Sequence, residues 1–151
     1  MPVPFDAPIT YACAEGRSCA LEVKTYPAGE PLITATDLPL RLLVRPRVLE
    51  DLYSALYWVD ALAERGHAVR ELVLPCVPGA RQDRLNASGD RLVTIKSIAR
   101  DINSRRFPCV TVLDPHSDVT PAPIERCRVV RPAEILRSRA DALAPAHWDA
   151  V

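Results

Sequence analysis

The chain has 151 residues, 48% of them hydrophobic, which is enough to build the core of about one domain. Its 19 basic and 19 acidic residues give a net charge of zero, so bulk charge argues against a nucleic-acid partner or an anionic membrane surface. No apolar run reaches the ~18 residues needed to cross a bilayer and no signal-peptide pattern is present, so we expect a cytoplasmic protein. Five scattered cysteines lack metal-type spacing, and we interpret them as reduced and structural.

The N-terminal third is predicted to be mainly β. Short runs rich in leucine and β-branched residues, separated by turn signals such as Pro27-Ala28-Gly29, predict strands at residues 21–25, 31–35 and 40–44. The pattern then changes to apolar residues at three- and four-residue steps. This change predicts an amphipathic helix that begins near Leu49 and stops at Gly66.

The rest of the chain alternates between strands and helices. The periodicity predicts strands at 69–77 and 109–113 and helices at 92–104 and 132–143. Such alternation with apolar strands is typical of an α/β fold, whose mainly parallel sheet carries helices on both faces. In open sheets of this kind, ligands bind outside the carboxyl ends of the strands.

A first polar motif follows the predicted strand 69–77. It contains Arg81, Gln82, Asp83 and Arg84. Arginine forks bind phosphate oxygens in bidentate fashion, so two arginines beside an amide and a carboxylate suggest a polyphosphate site. The alternative interpretation is a solvated turn.

A second polar motif follows the strand 109–113, where Asp114, His116 and Asp118 alternate along an extended segment. Either Asp114 with His116 or His116 with Asp118 could bind a divalent ion, and carboxylate oxygens suit Mg²⁺ or Mn²⁺. The alternative is that these side chains only cap the strand end and the following turn. Because both motifs follow the carboxyl ends of neighbouring strands, we expect them to face one crevice.

Together these motifs resemble the N-terminal half of the ribose-phosphate diphosphokinases, also called phosphoribosyl pyrophosphate synthetases. The family signature Ala-Arg-Gln-Asp-Arg corresponds to residues 80–84, and its Asp-x-His signature corresponds to residues 114–116. A third element, an aromatic residue followed by x-x-Gly-Glu, matches residues 26–30. The resemblance spans most of the chain. Pro115 before the histidine looks like the divergent branch associated with nicotinamide salvage.

The resemblance implies a three-layer phosphoribosyltransferase-like fold that binds ATP. Arg81 would contact the polyphosphate and Gln82 the base or sugar, while Asp83 and Arg84 would brace the loop. His116, with Asp114 beside it, would carry Mg²⁺ or Mn²⁺ together with the triphosphate.

The resemblance also implies an adenine pocket shared with a neighbouring subunit of a homo-oligomer, either a dimer or a hexamer. Four residues of the third element would contribute to the ATP site: Tyr26, Ala28, Gly29 and Glu30. Alanine stands at position 28 where the family has aspartate.

The reaction implied is attack by the anomeric hydroxyl of ribose 5-phosphate on the β-phosphorus of ATP, which releases AMP. ADP-ribose is the alternative acceptor. Residues 146–151 look like the start of another strand, so we expect residues 1–151 to form the N-terminal ATP-donor domain, truncated near 145–151 and inactive alone. The C-terminal ribose-phosphate-binding domain would be absent, and no catalytic residue is assigned in this half. A non-catalytic regulatory or assembly module and an unrelated α/β nucleotide-binding protein are the competing hypotheses.

Overall fold

A computed structural model describes residues 7–14, 16–85, 87–89 and 93–138. The strands are β1 (Ile9–Cys13), β2 (Ser18–Ala20), β3 (Glu22–Thr25), β4 (Pro31–Thr34), β5 (Pro39–Val44), β6 (Glu71–Leu74), β7 (Cys109–Leu113) and β8 (Cys127–Val130). The helices are α1 (Leu49–Glu64), α2 (Thr94–Ser104) and α3 (Pro132–Ser138).

A mainly parallel sheet of six strands organises the fold. Its strand order is β2-β1-β5-β6-β7-β8, while β3 and β4 form a separate antiparallel hairpin. β5, β6, β7 and β8 run parallel to one another. β1 and β2 are joined to this parallel set by antiparallel pairing. The carboxyl ends of the parallel strands therefore meet at one edge of the sheet.

Local interactions set the ends of α1. The Asp51 carboxylate accepts the backbone N–H groups of Arg47 and Val48 at 2.8 and 3.1 Å, which satisfies donors that a helix start leaves unpaired. The helix ends before Gly66, whose φ of +75° lies in the left-handed region. The predicted glycine stop is therefore confirmed, since glycine adopts this conformation without steric cost.

Helices α1 and α2 lie side by side on one face of the sheet. The Tyr53 hydroxyl of α1 donates to the Asp101 carboxylate of α2 over 2.5 Å. The Arg105 guanidinium, directly after α2, pairs with Asp60 of α1 at 2.7 Å. Strand residues on the helix side, such as Leu72, are fully buried. The largest fully buried side chains are Phe107, Ile9, Leu42, Leu52, Leu56, Leu72, Leu74, Ile95, Ile102, Val44, Val110 and Val112.

The opposite face of the central strands is only partly covered within the described residues. Leu43 and Val73 are half-buried there, and Arg41 pairs with Glu71 at 2.5 Å. β5, β6 and β7 lie next to one another in the sheet in the same order as in the sequence. Because connections between parallel strands are right-handed, the two helices that connect these strands lie on the same face of the sheet. The predicted α/β class with a mainly parallel sheet and packed helices is confirmed.

The sequence pattern predicted β3, β4, β5, α1, α2, β7 and the start of α3 but not β1, β2 or β8. The predicted strand 69–77 is shorter than expected, because β6 covers only Glu71–Leu74. Position 92 of the second predicted helix, residues 139–143 of the last one and the strand start at 146–151 lie outside the described residues. Within the described ranges, no helix is both long and apolar enough to cross a membrane.

Candidate functional site

A cleft of about 840 Å³ opens beyond the carboxyl ends of β6 and β7, and we call it the strand-end cleft. Arg81 and Gln82 line it from the loop after β6, and Asp114 and His116 line it from the loop after β7. The prediction that the two motifs face one crevice is therefore confirmed. The other lining residues are Leu49, Pro75, Cys76, Val77, Pro78, Gly79, Ala80, Thr94, Ile98, Leu113, Pro115 and Thr120.

The loop after β6, here called the arginine loop (residues 78–84), is anchored by Ala80 and by Val77, which directly precedes the loop. Val77 and Ala80 are buried in the main core, and the backbone N–H of Ala80 donates to the carbonyl of Val77. A second turn follows, in which the N–H of Gln82 donates to the carbonyl of Gly79 over 2.8 Å. Burial of one side of the loop leaves the Arg81 side chain exposed at the cleft.

Gly79 allows the arginine loop to pack directly on α2. Its φ is +74°, and a Cβ atom at this position would lie 3.0 Å from Cδ1 of Ile98 and 3.3 Å from the Thr94 side chain. Both the backbone conformation and the close approach require a residue without a side chain. Glycine at this position therefore fixes the distance between the arginine loop and the start of α2.

The first turn of α2 forms part of the cleft wall. The Thr94 hydroxyl donates to the side-chain oxygen of Gln82, which ties the arginine loop to this helix. The N-cap residue Val93 provides no side-chain hydrogen bond, and the first turn carries no acidic residue. Helix N-termini attract anions because their N–H groups are unpaired and the helix dipole is positive there. The cleft therefore combines a guanidinium group with the positive end of a helix.

A hydrogen bond joins the arginine loop to the loop after β7, here called the histidine loop (residues 114–118). The Ser117 hydroxyl donates to the Asp83 carboxylate over 2.5 Å. This hydrogen bond, assisted by the positive charge of Arg84, lowers the pKa of Asp83 below its ordinary value. Asp83 therefore stays ionised and holds the two loops together rather than lining the cleft. Arg84, 3.8 Å from Asp83, is otherwise exposed.

The histidine loop begins with a backbone turn at Asp114, whose φ is +41°. Its N–H still donates to the carbonyl of Val130 over 2.9 Å, so the residue remains attached to β8. Asp118 instead pairs with Arg131 at 2.6 Å and does not line the cleft. The residue pattern left two possible metal-binding pairs open, Asp114 with His116 and His116 with Asp118. The structure brings the first of these pairs to the cleft.

The donor set at the cleft fits a magnesium ion that is shared with a ligand. Among the described residues, no three histidine, cysteine or acidic side chains converge as a metal cluster. Mg²⁺ commonly takes only one or two protein ligands and completes its shell with water and substrate phosphates. One carboxylate and one imidazole on the cleft wall, from Asp114 and His116, are compatible with that arrangement.

The third predicted element lies on the β3–β4 hairpin, outside the lining of the strand-end cleft. The N–H of Tyr26 donates to the carbonyl of Glu30 over 2.9 Å, and the N–H of Gly29 donates to the carbonyl of Tyr26. Tyr26 is 54% exposed, and Ala28 and Glu30 are exposed as well. Within one chain the structure therefore does not bring this element together with Arg81 and His116.

Sequence reasoning missed the two hydroxyl groups that position the arginine loop. Thr94 and Ser117 were not predicted as site residues, although both lie next to predicted motifs or elements. A short hydroxyl side chain directly after His116 is the available signal, since serine often bonds nearby loop groups. Its partner Asp83 is 34 positions away in the sequence, so only the folded structure reveals the contact.

Comparisons with known proteins identify the fold. No protein-family model matches the sequence significantly, and no curated protein does. Chains of solved structures do match, and one is the crystal structure of phosphoribosylpyrophosphate synthetase from Mycobacterium smegmatis. The similarity has a TM-score of 0.65 and 20% identity, and it covers 82% of this chain and 43% of that chain. The chain therefore has a fold similar to part of a phosphoribosylpyrophosphate synthetase, and it spans less than half the length of that protein.

Proposed function

We propose that this chain is the ATP-binding half of a ribose-phosphate diphosphokinase. The observation that carries the proposal is the meeting of Arg81 and His116 in one cleft at the carboxyl ends of β6 and β7. The fold similarity to a phosphoribosylpyrophosphate synthetase supports it independently. In open parallel sheets this edge is where ligands bind, so the position of the cleft agrees with its chemistry.

Different residues of the cleft would contact different parts of the bound nucleotide. The Arg81 guanidinium would bind phosphate oxygens through paired N–H donors, and the unpaired N–H groups at the start of α2 would add to the positive potential. Gln82 is held in place by Thr94, and its amide would face the base or the sugar. Asp83 and Ser117 would keep the two loops at a fixed separation, which matters because positioning is a main part of phosphoryl-transfer catalysis.

Asp114 and His116 would hold Mg²⁺ or Mn²⁺, whose charge offsets that of the triphosphate when the ion is bound. Both side chains are exposed at the cleft and can reach a ligand there without rearrangement of the core. Asp118 would play no part, because its carboxylate is already paired with Arg131.

The complete reaction would transfer the diphosphoryl group of ATP to the anomeric hydroxyl of ribose 5-phosphate, or of ADP-ribose in nicotinamide salvage. The acceptor would bind to a second domain, since the fold match covers 43% of the synthetase chain. The hairpin residues Tyr26, Ala28, Gly29 and Glu30 would complete the adenine pocket of a neighbouring copy in a homo-oligomer. Their exposure in a single chain is compatible with that role.

Titration calorimetry of the full 151-residue chain with ATP and Mg²⁺ tests the proposal. We expect saturable binding that Arg81→Ala weakens at least about tenfold, because one charge-assisted hydrogen bond contributes about 1.5–3 kcal/mol. His116→Ala should make the remaining affinity independent of Mg²⁺. Arg128→Ala is the matched control, since it removes another exposed positive charge from β8, outside the cleft.

Two results would contradict the proposal. One is the absence of any nucleotide affinity in the folded wild-type chain, which would favour the hypothesis of a non-catalytic assembly module. The other is equal weakening by Arg81→Ala and Arg128→Ala, which would mean that the anion is attracted by general charge and not by the cleft.

A further inference from the structure

A second cavity of about 510 Å³ lies at the opposite edge of the sheet, and we call it the arginine pocket. It is formed where α2 ends and where β7 and β8 begin. Its lining residues are Arg100, Asn103, Ser104, Arg106, Glu125 and Arg126. β7 has five residues at about 3.3 Å each, so the pocket is separated from the strand-end cleft by about 15 Å of sheet.

The wall of the arginine pocket is held in place by Asn103. Its side-chain amide donates to the carbonyl of Pro123 over 2.9 Å, and its side-chain oxygen accepts the N–H of Glu125 at 2.9 Å. The segment that leads into β8 is therefore fastened to the last turn of α2. A pocket built on such contacts is largely formed before any ligand enters, which is typical of small-molecule sites.

Two arginines of the pocket have an uncommon backbone conformation. Arg106 and Arg126 have φ values of +53° and +52°, in the left-handed region that arginine rarely adopts. Arg126 is fixed further, since its Nε donates to the carbonyl of Phe107 over 2.6 Å. Both residues are exposed, and each lies shortly before a parallel strand, β7 or β8. Both residues line the arginine pocket.

The pocket carries excess positive charge that the described part of the protein does not neutralise. Three guanidinium groups face one carboxylate, that of Glu125, which pairs with Arg126 at 3.1 Å. Among the described residues, the Arg100 guanidinium makes one hydrogen bond, to the hydroxyl of Ser97 at 3.3 Å. The Arg106 side chain has no hydrogen bond or ion pair within the described residues.

Interaction with the dipole of α2 does not explain this cluster. Arg105 already fills that role, because its guanidinium donates to the carbonyl of Asp101 in the last turn over 2.7 Å and pairs with Asp60. Arg106 follows it in the left-handed backbone region and lines the pocket. Two guanidinium groups of the pocket, those of Arg100 and Arg106, have no carboxylate partner among the described residues. Such groups match the geometry of phosphoryl oxygens, which accept paired N–H donors.

We propose that the arginine pocket binds a small anion that carries a phosphoryl group, at a site separate from the strand-end cleft. Arg106 and Arg100 would provide the free donors, and Arg126 would complete the contacts, whereas the Ser104 hydroxyl already donates to the carbonyl of Asp101. The pocket volume exceeds that of a phosphate ion, so an organic phosphate also fits.

Residue-resolved NMR of the full chain with inorganic phosphate tests this site, with chloride added to the reference sample to match the ionic strength. We expect saturable shifts of the backbone amides of Asn103, Arg106 and Arg126. Arg106→Asn should weaken this binding by about tenfold or more, since asparagine tolerates the left-handed backbone but removes the charge. Arg100→Gln, on the regular surface of α2, provides a second variant that does not depend on the unusual backbone.

Arg81→Ala and Arg128→Ala serve as controls, because neither residue lines the arginine pocket. Both should leave its phosphate titration unchanged. A parallel titration with glycerol 3-phosphate distinguishes an organic phosphate from the free ion as the ligand. Tighter binding of glycerol 3-phosphate than of inorganic phosphate identifies an organic phosphate, and equal binding of the two identifies the free ion. The proposal is overturned if these amides show no saturable shift. It is also overturned if Arg106→Asn and Arg100→Gln both leave the titration as it is in the wild type.

Discussion

Replacement of Gly79 by alanine tests how the arginine loop is positioned. Two costs add at this residue. The φ of +74° puts a non-glycine residue in the left-handed region, at roughly 1–2 kcal/mol. The new Cβ would also lie 3.0 Å from Ile98 and 3.3 Å from Thr94, and overpacking of this kind costs about 1–3 kcal/mol. We expect Gly79→Ala to lower the free energy of unfolding by about 2–5 kcal/mol.

Gly66 supplies a matched control for this substitution. Its φ of +75° is almost the same, but a Cβ atom there would have no neighbour within 4 Å. Gly66→Ala should therefore cost only the conformational part, about 1–2 kcal/mol. The difference between the two variants isolates the contact between the arginine loop and α2.

Urea unfolding at 25 °C, followed by circular dichroism, measures both variants against the wild-type chain. We expect Gly79→Ala to unfold at a clearly lower urea concentration than Gly66→Ala, and also to bind ATP more weakly because Arg81 and Gln82 shift with the loop. Equal losses of stability in the two variants would refute the close packing of the arginine loop on α2.

Three further predictions concern single contacts. Ser117→Ala should raise the pKa of Asp83 toward its ordinary value of 3.8, as read from its carboxyl carbon by NMR; an unchanged titration would mean that the two loops are not joined. In the wild type, the stability that ionised Asp83 contributes is present above pH 3.8 and is lost as the pH falls through its lowered folded-state pKa. Tyr53→Phe should lower the free energy of unfolding by about 0.5–1.5 kcal/mol, because it removes the hydrogen bond to Asp101; a neutral result in urea unfolding would argue against the pairing of α1 with α2. Asp51→Ala should cost about 1 kcal/mol in the same assay through loss of the helix cap, and a cost near zero would count against that cap.

Elements with strong periodicity could be predicted from the sequence. α1 and α2 have apolar residues on one face, and β7 is a continuous apolar run, so each of them has a local signal. β2 and β8 are three and four residues long, and β8 has half-buried or exposed side chains. Such strands depend on pairing with a neighbour, and the sequence does not contain that information locally.

The shortened β6 has a local cause. The predicted strand 69–77 contains Pro75 and ends before Pro78, and neither proline can donate a backbone hydrogen bond to the sheet. The chain therefore leaves the sheet after Leu74 and enters the arginine loop. The apolar character of Val77 reflects burial in the loop and not strand structure.

The position of the candidate site could be predicted from the strand-end rule, which says that ligands bind outside the carboxyl ends of parallel strands. That rule brought Arg81 and His116 together from sequence order alone, and the structure agrees. The residue pattern alone left Asp114 and Asp118 open as the partner of His116, and only the family resemblance favoured Asp114. The ion pair that occupies Asp118 involves Arg131, 13 positions away, so the pattern could not reveal it. The third element, at residues 26–30, lies apart from the cleft, and its role stays a prediction.

NMR titration of the chain with ATP and Mg²⁺ tests the central proposal most directly. We expect the amides of the arginine loop (78–84) and the histidine loop (114–118) to shift together, with one common dissociation constant, and Arg81→Ala to weaken both responses equally. Shifts confined to one loop, or two different dissociation constants, would contradict a single nucleotide site that spans the carboxyl ends of β6 and β7.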